Sequence, residues 1–113
     1  MAAASLLAAP EELVLVGHSH VALAFSLSEG ALDGDVAPEG TEADLGSADR
    51  WLLNPGSVGQ PRDGDARAAY LVLDLGARRA SFRRVRYDVE RTQEELRERG
   101  LPEALAARLE HGV

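Results

Sequence analysis

The chain contains no cysteine and no lysine, has only three histidines, and nowhere carries an apolar run near the ~20 residues needed to span a bilayer. Without cysteine, a disulfide scaffold and any thiolate metal site are excluded, and the composition is compatible with the cytoplasm. Without lysine, all twelve basic residues are arginines, set against 19 acids for a net charge of −7. That balance disfavours generic nucleic-acid binding, which needs a basic surface that releases counterions. An anionic substrate would need bound cations to reverse the local sign. Met1 to Pro10 is short and alanine-rich but lacks the positive start of a secretory signal. The expectation is a soluble, cytoplasmic protein with no membrane segment.

What remains is enough for one small domain. A chain of 113 residues, 45% of them hydrophobic, buries roughly two thirds of its unfolded surface. Ala2 to Ala9 favours helix and Pro10 disfavours continuing it, as in the last turns of a helix. Leu13 to Val16 is four apolar residues between Pro10 and Gly17, the pattern of a short buried strand. Val21, Leu23, Phe25 and Leu27 alternate with Ala22, Ala24 and Ser26, which predicts a strand with a bulky face toward a core and a small face that lets another layer approach closely. Seven acids then follow without a base: Glu29, Asp33, Asp35, Glu39, Glu42, Asp44 and Asp49. Residues 28–49 read as a long exposed acidic loop or a hairpin excursion. Asp33-Gly34-Asp35 invites a calcium reading, but the later ligand positions of an EF-hand loop are missing.

Arg50 to Leu53 is a brief apolar strand, and Ala68 to Leu75 and Ala80 to Tyr87 are two more, turned at Gly76 and Ala77. Arg78, Arg79, Arg83, Arg84 and Arg86 fall on both faces of the last strand, the signature of a solvated edge. Asp88 is placed to cap a helix from Val89 to Arg99, with Gly100 ending it. Its thin apolar stripe predicts a surface position. A final helix runs from Pro102 to Glu110, and His111 is a helix-end residue with no site role.

Two stretches carry chemistry. Gly17-His18-Ser19-His20 leaves the carboxyl end of a strand, where open α/β sheets collect ligands. Neutral imidazole is a common metal ligand, and residues two apart in an extended segment face one side, so His18 and His20 can share a site. From these residues alone a polar loop after a strand is the more ordinary reading. The second stretch, Asn54-Pro55-Gly56-Ser57-Val58-Gly59-Gln60-Pro61-Arg62-Asp63-Gly64, has two prolines and three glycines that fix a path while permitting unusual backbone angles. It is either a shaped binding loop or an ordinary turn between strands.

Together and in this order, the two stretches resemble the C-terminal half of the calcineurin-like metallophosphoesterases, small bacterial members above all. The resemblance covers nearly the whole chain and implies an α/β fold, part of a two-sheet sandwich flanked by helices, as a single partial domain over 1–113. It further implies metal-dependent hydrolysis of a phosphate ester by water. Two divalent ions, manganese, iron or zinc, would be held in the complete site. The Gly-His-x-His motif implies His18 on one metal and His20 on its neighbour, with Ser57 and Arg62 shaping the substrate side. The family's Asp-x-His, Gly-Asp-x-x-Asp and Gly-Asn-His motifs are absent; neither Asp35 nor Asp65 is followed by an aspartate three residues on. The expectation is therefore about half an enzyme, inactive alone, completed by a missing N-terminal half or by self-association. The alternative is a non-catalytic binding or assembly module derived from the same fold.

Overall fold

The structure, a computed structural model, describes residues 12–113; the expected helix over Ala2 to Ala9 lies outside them. Seven strands form two sheets. The first is mixed, in the order β1 (Leu13–Leu15), β5 (Arg50–Asn54), β2 (Leu23–Ser28), β3 (Ala31–Val36). β1 runs parallel to β5, and β2 is antiparallel to both β5 and β3. The second is antiparallel, in the order β4 (Glu42–Asp44), β7 (Arg79–Val85), β6 (Ala68–Asp74). Two short helices, α1 (Val89–Glu98) and α2 (Glu103–Ala107), close the chain, the second running on into a 3-10 turn at Arg108–Glu110.

The two sheets pack face to face. The register sets Ala24 opposite Leu53, so Ala22, Ala24, Trp51 and Leu53 share one face of the first sheet. That face meets Ala43, Ala80, Phe82, Leu71 and Leu73 of the second, with Leu45 and Ala37 filling the margin. Phe82, the largest fully buried side chain, anchors this layer; burying one such side chain stabilises by about 1.5–3 kcal/mol. The small face of β2 thus carries the larger core. Alanines there let the second sheet approach, while Leu23, Phe25 and Leu27 pack on the opposite side with Leu52, Val14 and Val16. Of those bulky residues of β2, only Leu27 is buried, at 8% exposure.

Three further expectations are corrected. β1 is half-buried rather than covered, with Leu15 exposed, because among the described residues it has a neighbour on one side only. Residues 28–49 are not one loop but begin as the hairpin excursion, with β3 turning back antiparallel on β2. They hold β3, which is exposed throughout, then β4 and a 3-10 turn at Leu45–Ser47 capped by Asp44. The acids point outward while Ala37, Ala43 and Leu45, spaced too widely to form a visible apolar pattern, enter the core. β4 then covers β7, so the arginine-rich strand is the centre of its sheet and not an edge. Arg84 alternates inward with Ala80 and Phe82 and is buried.

The C-terminal reading holds in detail. Asp88 accepts a hydrogen bond from the Arg91 amide at 3.1 Å, capping α1, and Gly100 ends the helix in the left-handed region at φ +71°. α1 buries only Gln93, whose Nε2 donates to the Ala106 carbonyl at 2.8 Å and so ties the two helices together. The chain end returns to the body at Gly112, whose carbonyl accepts from the Gly64 amide at 2.9 Å.

Candidate functional site: two loops locked together

β1 and β5 are parallel neighbours, so the loops leaving their carboxyl ends emerge side by side. The first is Gly17-His18-Ser19-His20 and the second begins at Asn54. Val16 still donates to the Leu53 carbonyl at 2.9 Å, which carries the pairing to the threshold of both loops. From there three hydrogen bonds join them. Asn54 Nδ2 donates to Ser19 Oγ at 2.9 Å, the Arg62 amide donates to the His20 carbonyl at 3.0 Å, and His20 Nδ1 lies 2.8 Å from the Gln60 carbonyl.

That last contact has a definite chemical reading. A carbonyl oxygen only accepts, so Nδ1 carries the proton, and in the neutral ring Nε2 keeps its lone pair. This is the arrangement in which a metal-ligating histidine is oriented by a backbone carbonyl on its other nitrogen. His18 and His20 both adopt positive φ, 92° and 60°, a region costly for side-chain-bearing residues and concentrated at functional sites. His18 is exposed and His20 half-buried.

The second loop is itself rigid. Asn54 Oδ1 accepts from the Gly56 amide at 3.0 Å, Ser57 Oγ accepts from the Gln60 amide at 2.9 Å, and the Ser57 carbonyl accepts from the Ala69 amide at 2.9 Å. Arg62, exposed, donates to Gln60 Oε1 at 2.8 Å. At its far end Asp63 is ion-paired with the buried Arg84, which also donates to the Arg67 carbonyl at 3.4 Å. Asp65 accepts from Arg67 through both the backbone amide and the guanidinium, and this holds its carboxyl down at about 2. Arg67 bridges onward to Glu39, and the two carboxylates push its own pKa up.

A folded pKa below the unfolded value near 3.8 contributes stability that is fully present above that value and lost as pH falls toward 2. Wild type is therefore expected to be more stable than an Arg67→Gln variant at pH 6, with the gap closing between about pH 4 and pH 2. Urea unfolding at stepped pH checks this; a gap unchanged at pH 2.5 contradicts it.

Of the four residues expected at the site, His18 and His20 share the first loop and Ser57 and Arg62 the second. Ser57 serves its own turn. Arg62 lines a groove of about 730 Å³ with Val21, Ala22, Asp63, Arg67 and Arg84, among others, and neither histidine lines it. Among the described residues no group of three or more His, Asp or Glu side chains stands close enough to hold a metal ion. Two imidazoles match the donor chemistry of a divalent-metal site and fall short of its number. His111 lies at the chain end, 3.4 Å from Glu110 of the same turn. In the sequence Asn54 opens the second loop with no role of its own attached, and the structure makes it the last residue of β5. The Gln60 contribution is a backbone carbonyl and leaves no mark in a side-chain pattern.

No family model matches the chain. It is 40% identical over 98 residues to an uncharacterized protein of Methanocaldococcus jannaschii, a match covering 87% of this chain and 38% of that protein. A metallophosphoesterase from Sphaerobacter thermophilus, known from a crystal structure, superposes with a TM-score of 0.86 at 40% identity, covering 99% of this chain and 48% of that one. The chain thus spans less than half the length of either.

Proposed function

From a chain that has the fold of a metallophosphoesterase over about half that enzyme's length, we propose that its role is to supply the histidine end of a two-metal phosphoesterase site. The reading gives His18 to one ion and His20 to the other, with the remaining ligands coming from residues outside this chain or from another copy. The hydrogen bond from His20 Nδ1 to the Gln60 carbonyl carries it, because it leaves Nε2 free on a loop already held in place. Manganese, iron or zinc suits such imidazole donors in company with carboxylates. When bound, a metal pair grips phosphoryl oxygens and lowers the pKa of water. This chain's own residues orient: Gln60 fixes the His20 ring, Asn54 and Ser19 join the loops, and Arg62 offers a guanidinium to an anionic substrate. The complete protein would hydrolyse a phosphate ester, and the absence of cysteine suits a cytoplasmic setting. Among the described residues no helix is long and apolar enough to cross a membrane.

The test joins metal binding to hydrolysis. The purified chain is expected to bind Mn²⁺ weakly, to lose that binding in a His18→Ala/His20→Ala double variant, and to keep it in His111→Ala. On chromogenic phosphodiester and phosphomonoester substrates with added Mn²⁺, the chain alone is expected to show no turnover above the double variant. Metal affinity untouched by the double variant overturns the ligand assignment. Turnover that the double variant abolishes shows that the chain assembles a working site by itself, as an oligomer.

A second reading, a binding or assembly module without catalysis, draws on one observation. The face of the first sheet turned away from the second carries Val14, Val16, Leu23 and Phe25, all incompletely buried. Apolar surface of that kind favours association. Retained metal affinity in the double variant together with concentration-dependent sedimentation favours this alternative.

A further inference from the structure

We propose that Asn54 is a positioning residue, whose buried amide holds the His18-Ser19-His20 loop in its strained conformation and thereby keeps His20 in the Nδ1–H form with Nε2 free. Asn54 is 1% exposed, yet it ends a strand whose backbone is already paired to Leu23 on one side. A buried amide needs partners for both its ends, and here each partner belongs to a different loop. Its oxygen takes the Gly56 amide of the second loop and its nitrogen reaches Ser19 Oγ of the first. Ser19 stands between two residues of positive φ, so any relaxation of the loop passes through it.

The strain supplies the reason for a clamp. Side-chain-bearing residues in the left-handed region are strained and persist only when the surroundings over-determine them. Among the hydrogen bonds that join the loops, Asn54 to Ser19 is the one made by two side chains, and it grips the loop midway between the histidines. Releasing it lets Ser19 turn, moves the His20 backbone and takes the ring off the Gln60 carbonyl. Aspartate at this position lacks the donor, and alanine lacks both ends. The inference deepens the metal reading for its second measurement only, since the ring's proton position is observable without any metal.

The experiment uses the full chain with Asn54→Ala, Ser19→Ala and the double variant. Long-range ¹H–¹⁵N correlation of the imidazoles above pH 8 is expected to show His20 wholly as the Nδ1–H form in wild type. Either single variant should give a mixture of the two forms, and the double variant no further change. Mn²⁺ affinity is expected to fall about tenfold in each single variant and by the same factor in the double. An unchanged His20 spectrum in both single variants overturns the proposal, as does an affinity loss that multiplies in the double variant. If Asn54→Ala fails to fold, Ser19→Ala, at an exposed position, decides on its own. If His18→Ala/His20→Ala leaves Mn²⁺ binding intact, the metal reading fails and the ring spectra still decide this one.

Discussion

Replacing Arg84 with methionine is expected to destabilise the chain by about 3 kcal/mol, lowering the melting temperature by roughly 10–15 °C. The Arg84 side chain is 3% exposed and the Asp63 side chain 16%, so the two charged groups are largely out of water although the Asp63 backbone lies at the surface. Attraction inside the fold offsets the cost of desolvating the two charges only while both are present. Methionine fills much of the space along the arginine stem but leaves Asp63 with a charge and no partner. The double variant Arg84→Met/Asp63→Leu should recover most of the loss, because it removes both charges together. Asp63→Asn alone should cost at least as much, since it leaves the more deeply buried charge, that of Arg84, without a counter-ion. Thermal and urea unfolding of the four proteins measure this. A single-variant loss below about 0.5 kcal/mol would mean that the ion pair adds nothing to holding the second loop on β7.

Gly56→Ala should cost about 2–5 kcal/mol, from two separable causes. Gly56 has φ +88°, and a side chain in that region costs roughly 1–2 kcal/mol. A Cβ built there also stands 2.8 Å from the Ala69 Cβ and 3.3 Å from the Ala22 Cβ, closer than packed atoms tolerate. Overpacking of this kind typically adds 1–3 kcal/mol. Ala69 and Ala22 are themselves buried where the sheets meet, so neither can give way freely. The compensating variant Gly56→Ala/Ala69→Gly should relieve the collision and leave the backbone cost, recovering part of the loss. Recovery of none of it would assign the whole effect to backbone conformation. The Gly56 amide also holds Asn54 Oδ1, so the same substitution should broaden the His20 ring signals.

Much of this architecture was readable from the chain because local pattern and tertiary role agree. The alternation from Val21 to Leu27, the apolar run before Gly17 and the Asp88 cap each appear in the structure within a residue or two of where the pattern puts them. Where the reading failed, long-range pairing decided. Glu42–Asp44 carries two acids around one alanine and looks like loop, yet pairing with β7 makes it a strand and turns Ala43 inward. The same pairing converts β7 from a presumed edge into the middle of a sheet, and Arg84 from a solvated side chain into a buried one. The faces of β2 were assigned by size alone. That reading holds, since the second sheet does approach against the alanines; what size leaves open is that this approach, and not the bulky face, makes the larger core. At the site, the two histidines were evident, whereas the links between the loops depend on β1 and β5 lying side by side, which neither segment states by itself.

The first sheet ends differently on its two sides. β3 closes one side with Asp33 and Asp35 on an exposed strand, and like charges there repel any strand of the same kind that approaches. β1 closes the other with Leu13, Val14 and Leu15, which bear no charge. Polymerisation through a sheet needs two compatible borders, and among the described residues this sheet offers one. Addition of a strand to this sheet is therefore opposed at the β3 border and left open at the β1 border.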